Sequence, residues 1–337
     1  MAGRQCWRLL TVAIGPLLIA AGLGRGSAEV DLKACPYQLV CETYRDGNWE
    51  LYRMHADGSH AVNLTRTPEV NELYPHVSPD GTKVSFVVDG GEGDQRRRDV
   101  YYMNLDGTGR TKVADNAREP CWSPDGKAIA YLKGEFDEFT VTDYATKGLF
   151  IYDLKTRTHT EHPNNTLYHL YNICWSPDGK WFVATVHAGM GYDHAILAIE
   201  AQGTRVFNLG IPGCRPDFSP DGRHLAWGAS DWALEVADID LSGPEPKVSN
   251  QRDVVTSAEP MKIYHIDWSP DGKWVTFGRG PTETTLGPAV EMVGVEAKDW
   301  NICVADSTKT DAWRAITSDG KSYKEPDWIP LRGKRAG

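Results

Sequence analysis

Short apolar runs recur along the chain, each four or five residues long and rich in β-branched and aromatic side chains. They are Lys83-Val84-Ser85-Phe86-Val87, Ala128-Ile129-Ala130-Tyr131, Trp181-Phe182-Val183-Ala184, His224-Leu225-Ala226-Trp227 and Trp274-Val275-Thr276-Phe277. Composition of this kind favours strands. One piece of punctuation stands in front of every run: Ser78-Pro79-Asp80-Gly81, Ser123-Pro124-Asp125-Gly126, Ser176-Pro177-Asp178-Gly179, Ser219-Pro220-Asp221-Gly222 and Ser269-Pro270-Asp271-Gly272. In this tetrapeptide Pro sets φ near its turn value and Gly supplies φ > 0, so the chain reverses sharply. An aromatic or apolar residue ends the strand before it: Val77, Trp122, Trp175, Phe218 or Trp268. Each copy predicts a β-hairpin.

Successive motif aspartates lie 45, 53, 43 and 50 positions apart, and a degraded sixth copy reads Asp327-Trp328-Ile329-Pro330. A period of this length marks a repeat architecture. After each hairpin the pattern predicts a third strand ending in a polar turn, such as Asp99-Val100-Tyr101-Tyr102-Met103-Asn104 before Asp106-Gly107. A short fourth strand follows, as in Thr111-Lys112-Val113. Four antiparallel strands repeated around a ring make a β-propeller, and no long helical periodicity interrupts them. Residues 37–43 read as a second strand with no motif in front, and the last motif has no second strand behind it. Joining the two completes a blade from both termini and removes the free edges. The expectation is an all-β, six-bladed β-propeller of four-stranded antiparallel blades over residues 37–332.

The first 28 residues are different in kind. Arg4 and Arg8 precede an apolar run from Leu9 to Leu23, and Gly26-Ser27-Ala28 follows. This is the layout of a secretory signal peptide cut after Ala28. The expected layout is then a leader (1–28), a short lead (29–36), the propeller and a tail (333–337). A periplasmic or extracellular protein is implied, with no membrane insertion after cleavage. Loss of the leader removes Arg4, Arg8 and Arg25 and no acid, which takes the net charge from −10 to −13. An acidic surface repels nucleic acid and anionic membrane. The local exception, Arg96-Arg97-Arg98, reads as a solvated loop tip. Cys6 lies in the leader; Cys35, Cys41, Cys121, Cys174, Cys214 and Cys303 have neither zinc spacing nor the layout of a disulfide framework. Free, buried thiols are expected, and a closed ring needs no second copy, so the protein is expected to be a monomer.

With its Trp-Ser-Pro-Asp-Gly-Lys hairpins and strand ends such as Met103-Asn104-Leu105-Asp106-Gly107, the chain resembles the TolB-like (WD40-like) β-propeller repeats of exported bacterial proteins. The resemblance covers roughly residues 36–332 and implies the fold far more strongly than an activity. Oligogalacturonate lyases share the repeat pattern, but their metal-bound histidine cluster has no counterpart here position by position.

Candidate chemistry comes from geometry. The innermost strand of a propeller blade lines the axis, and the residues four before each motif Ser are expected to begin it. They are Tyr74, Glu119, Asn172, Arg215, His265 and Glu325, all polar and all around one mouth. Two positions later come His76, Cys121, Cys174, Asp217, Asp267 and Asp327. Such a ring suits sugar binding or acid–base work. No cofactor is predicted, and a divalent metal at the mouth is an option, with His187 and His194 as further ligands. The same face carries the loop 133–147, with Glu135, Phe136, Asp137, Glu138 and Phe139, and also 187–193, Tyr168-His169, the linker 250–264 and the long 279–299 connection. Long loops on a rigid scaffold are where function concentrates. There is no GxSxG, HExxH or P-loop pattern. The recurrent Trp122, Trp175, Trp268 and Trp328 are expected to pack between blades.

The reading is an exported binding module that presents the loop face, through 133–147 and 279–299, to a protein or glycan. The alternative is a polysaccharide lyase. There Arg215 would neutralise a uronate carboxylate, and His265 or Tyr74 would abstract the proton.

Overall fold

The computed structural model describes residues 30–45, 47–282 and 299–331. The segment 1–28 expected to be a leader, most of the 279–299 connection and the residues from 332 onward lie outside the described residues. The chain enters through β1 (Gln38–Arg45), β2 (Asn48–His55) and β3 (Val62–Asn63), the outer three strands of the closing blade. The first complete blade is β4 (Asn71–Val77), β5 (Lys83–Gly90), β6 (Arg97–Asn104) and β7 (Thr111–Ala114). The second is β8 (Ala117–Trp122), β9 (Ala128–Gly134), β10 (Thr146–Asp153) and β11 (His159–Glu161). The third is β12 (Leu170–Trp175), β13 (Trp181–Gly189), β14 (Tyr192–Glu200) and β15 (Val206–Asn208). The fourth is β16 (Cys214–Phe218), β17 (His224–Ser230), β18 (Ala233–Asp240) and β19 (Lys247–Thr256). The fifth is β20 (Met261–Trp268), β21 (Trp274–Pro281), β22 (Asn301–Asp306) and β23 (Trp313–Ala315). Finally β24 (Ser322–Ile329) runs antiparallel to β1 and becomes the inner strand of the closing blade. The protein is a six-bladed β-propeller, closed by its two ends as the strand count requires.

The motif turns repeat almost atom for atom. Ser Oγ donates to the Asp carboxylate at 2.7–2.8 Å in all five copies. The first amide of the following strand donates back to Ser Oγ at 2.9–3.0 Å. The glycine holds φ between +66° and +75°, which costs an L side chain about 1–2 kcal/mol. Between neighbouring blades the apolar faces merge. Trp122 packs with Val87 and Val100 of the blade before it, Trp268 with Val236, and Trp328 with Ile302 and Val304. Trp122, Trp268 and Trp328 are core, and the half-buried Trp175 packs against the cluster of the second and third blades. All six described cysteines are free thiols.

Two loop expectations change. Residues 187–193 are the ends of β13 and β14, joined by a tight Met190-Gly191 turn. Much of the 250–264 linker is strand, because β19 continues to Thr256 along the outer edge of its blade. None of the described helical segments is long and apolar enough to cross a membrane.

Candidate functional site

Every inner strand carries one irregularity at the same place. Its pairing with the next strand slips at Leu73/His76, Arg118/Cys121, Tyr171/Cys174, Cys214/Asp217 and Tyr264/Asp267, and β24 slips against β1 between Val40 and Glu42. At the slip sit Tyr74, Glu119, Asn172, Arg215, His265 and Glu325, with φ between +46° and +59°. They therefore lie inside their strands and do not start them; the strands begin one to four residues earlier. Four of the six precede a proline (Pro75, Pro120, Pro216 and Pro326), whose missing N–H cannot join the ladder. A bulge of this kind bends the strand and re-aims a side chain. The displaced amides still need partners. Tyr74 N donates to Glu42 Oε2 at 3.1 Å, Asn172 N to Glu119 Oε2 at 2.8 Å, and Arg215 N to Thr185 Oγ1 at 2.9 Å. Strain repeated on all six blades belongs to the repeat, not to one catalytic position.

The ring two residues on is a belt of bonds from blade to blade. Asp327 accepts from Val77 N at 3.1 Å and pairs with His76 Nδ1 at 3.1 Å. Cys121 Sγ accepts from Trp175 N at 3.2 Å, and the Cys174 thiol donates to Asp217 at 3.0 Å. Asp217 accepts from Trp268 N at 3.0 Å and Asp267 from Trp328 N at 2.8 Å. Burial first, and the neighbouring carboxylates second, hold the Asp267 carboxyl well above its ordinary range. His76 thus belongs to this structural belt.

The mouth above is not an open channel. Residues 135–145, between β9 and β10, cross it, and Asp143 reaches its centre. Asp143 Oδ1 accepts from the Tyr74 hydroxyl at 2.8 Å and lies 3.9 Å from Arg98 Nη1; Oδ2 is 3.3 Å from Arg215 Nη2. The other terminal nitrogen of Arg215 is 3.3 Å from Glu325, which also lies 2.8 Å from His265 Nε2. Arg118 fastens the loop through the carbonyls of Thr142 at 2.5 Å and Thr140 at 3.4 Å. Beneath it His265 is only 3% exposed and Arg215 8%. Burial and the Arg215 cation push the His265 imidazole well below its ordinary pKa, so it is neutral. Neither ring nitrogen of His265 makes a well-aligned hydrogen bond. Burial and then Asp143 lift the Glu119 carboxyl to about 7.

In the arginine run Arg96 and Arg97 are exposed, as a solvated tip requires, but Arg98 is not. Arg98 is buried in a two-pronged pair with Asp89, 2.6 Å on both arms, and Arg96 stacks over Phe139 of the crossing loop at 3.9 Å. The loop acids singled out from sequence were Glu135, Asp137 and Glu138. Glu135 holds His169 at 2.9 Å at the loop's foot, whereas the acid that enters the mouth is Asp143, which has no distinguishing sequence pattern.

Beside the loop opens a pocket of about 370 Å³ whose walls include Tyr144, Tyr171, Tyr264, Asp231, Arg215 and Asp143. His187 and His194 share its rim, 3.2 Å apart at Nδ1. Because His194 Nε2–H donates to the Gly213 carbonyl at 2.9 Å, its Nδ1 accepts from His187, which leaves His187 Nε2 as a free acceptor. Asp231 takes the Tyr264 hydroxyl and the Lys262 ammonium. A slightly larger recess, about 420 Å³, lies on the opposite face at the seam of the two chain ends; it lacks the converging buried charges of the loop face. Among the described residues no group of three or more His, Cys, Asp or Glu side chains is arranged to hold a metal ion.

No profile of a known protein family matches the chain. It is 25% identical over 233 residues to the uncharacterized peptidase YuxL of Bacillus subtilis, a stretch covering 65% of this chain and 31% of that one. It is 35% identical over 95 residues to the Tol-Pal system protein TolB of Alcanivorax borkumensis, covering 27% and 21%. The crystal structure of TolB from Acinetobacter baumannii superposes with a TM-score of 0.63 at 17% identity, over 88% of this chain and 67% of that one. The chain spans less than half the length of the curated relatives it matches.

Proposed function

We propose that this TolB-like six-bladed β-propeller is a binding module that seats a glycan-sized polar ligand on its loop face. The observation that carries the reading is the pocket of about 370 Å³, where three tyrosines, Asp231, the histidine pair and Arg215 converge. Its size is that of a small-molecule site, and its mixture of aromatic faces with a few fixed polar groups is what such sites use for orientation. Phe136 and Tyr168, two of the exposed large apolar side chains, extend the same face. The leader-like residues 1–28 support a site of action in the periplasm or outside the cell.

The lyase reading has less support. A base must come within about 3 Å of the proton it removes, yet His265 is enclosed and the Tyr74 hydroxyl is engaged by Asp143. Thermal unfolding of the protein against neutral and acidic sugars, with and without chelator, tests the proposal. Saturation at a hundredfold above Kd stabilises by about 2.7 kcal/mol, a rise of several degrees. The shift should shrink in His187→Ala and Asp231→Ala. A shift untouched by both substitutions would place the ligand elsewhere, and no shift with any sugar would remove the glycan reading.

A further inference from the structure

At the centre of the mouth three strand-borne donors meet on an acceptor that no strand supplies; the strand-borne Glu325 reaches only Arg215 and His265. Tyr74 comes from β4, Arg98 from β6 and Arg215 from β16, so three strands of two blades aim donors at one point. What fills that point is a carboxylate lent by the loop 135–145. A buried charge left without a partner is costly, and Arg98 and Arg215 are partnered differently. Arg98 is fixed to Asp89 with both contacts at 2.6 Å. Arg215 is stretched between Glu325 and Asp143 at 3.3 Å each, longer than the ~2.7–2.9 Å of a well-made charge-assisted bond. Arg215 and Asp143, which contacts all three donors, also stand in the wall of the loop-face pocket, so Arg215 is reachable from the side that a ligand would enter.

We propose that the channel mouth is a carboxylate-binding site occupied at rest by the chain's own Asp143. On this view the pocket's ligand is a small organic acid whose carboxylate takes Asp143's place against Arg215, Tyr74 and Arg98. The inference rests on the pocket being a binding site and names the class of molecule it takes. Charge is conserved in the exchange. When Asp143 withdraws, Arg98 keeps Asp89 but Arg215 keeps only Glu325, and Arg118 loses the carbonyls of Thr140 and Thr142. An incoming carboxylate restores the lost partner of Arg215, while a neutral sugar leaves it bare. The fixed acids at the mouth, Glu119 and Glu325, disfavour a second negative charge, so one carboxylate is the complement.

Chemical rescue tests this. Asp143→Ala should unfold at a lower temperature than the parent. Millimolar acetate or galacturonate should raise its midpoint by several degrees, with a smaller effect on the parent, whose site is filled. Galactose and chloride should not. Adding Tyr74→Phe should weaken the rescue, and adding Arg215→Ala should abolish it. Should Asp143→Ala not fold, Asp143→Asn keeps the shape while removing the charge, and the same acids should displace its amide. A folded variant that ignores every carboxylate, or a response that survives Arg215→Ala, would make Asp143 a permanent plug and overturn the proposal. If galactose shifts the parent while acetate fails to rescue the variant, the binding-module reading stands and this one falls.

Discussion

Two rings of side chains line the channel, separated in every blade by two residues, and they have opposite uses. The inner ring, His76 to Asp327, spends its polar atoms on the next blade: Asp217, Asp267, Asp327 and Cys121 each accept a neighbour's amide. The outer ring, Tyr74 to Glu325, is placed at a bulge and turns its polar atoms inward, with Glu119 also accepting the Asn172 amide of the next blade. There Arg215 and His265 meet Glu325, and Tyr74 meets Asp143 of a loop. A repeat can thus carry one position that holds the ring together and another, one pleat away, that is free to differ from blade to blade. The variety of the outer ring, six residues of five side-chain types, follows from that freedom.

The comparison says that the mouth, the outer ring together with the charges packed against it, is held by charge, so removing charge there should cost most. Arg98→Ala strands Asp89 and deprives Asp143 of a neighbour. Breaking a buried pair costs about 3–5 kcal/mol, read as a lower midpoint in chemical denaturation. The double variant Arg98→Ala/Asp89→Ala should recover much of the loss. If the single variant costs no more than a surface change, the mouth is not the charge-held layer described above.

A pH series separates the rings next. The Asp217, Asp267 and Asp327 carboxyls are all raised, burial being the largest cause, and burial also lifts Glu119 and Glu42 to about 7. A carboxyl whose pKa is higher folded than unfolded binds its proton more tightly in the native state. Stability therefore falls as pH rises from the unfolded value, about 4, through the folded one, by about 1.4 kcal/mol per pH unit and group. The protein should melt at a lower temperature at pH 8 than at pH 5. Below about pH 4 the motif residues Asp80, Asp125, Asp178 and Asp221, whose Ser partners contribute to their lowered pKa, act the other way; Asp125 is held at about 2, chiefly by Lys127 and Ser123. Asp267→Asn keeps an acceptor for Trp328 N and removes the ionisation, so it should flatten the slope above pH 5. An unchanged slope would take Asp267 out of the account and leave the effect to the other raised carboxyls.

Much of this was legible beforehand, for a physical reason. Ser-Pro-Asp-Gly is local chemistry: its turn is closed by atoms within five residues, so the sequence states it outright. The count of blades followed from the unmatched strands at 37–43 and 325–328. The six outer-ring residues were legible as a set because they share an offset from the motif. Their bulge was not, although Tyr74-Pro75, Glu119-Pro120, Arg215-Pro216 and Glu325-Pro326 hint at a lost ladder bond. Asp143 was out of reach altogether. Its partners Tyr74, Arg98 and Arg215 lie between 45 and 72 residues away, and no spacing rule links a loop acid to donors on other blades. The same holds for Arg98, which reads as one of three exposed cations until Asp89 is placed opposite it.

The smallest effect probes a conformation that the motif turns and the outer ring share, a positive φ. Gly179 in the motif turn has φ +75° and open space where a Cβ would go, so Gly179→Ala meets backbone strain and nothing else. Strain of about 1–2 kcal/mol, less the ~0.4–1 kcal/mol that alanine removes from the unfolded chain's entropy, leaves a net loss of about 1 kcal/mol. Asn172 in the outer ring has φ +47°, a conformation asparagine tolerates, so Asn172→Gly should be near neutral, its relief offset by the entropy that glycine adds. Paired denaturation curves decide between two accounts of the bulge. Near-neutrality at Asn172 beside a loss at Gly179 means that the ring bends because the repeat does. A clear gain at Asn172 would instead mean that the outer ring stores strain, and the loop that covers it would then be the element to ask what releases it.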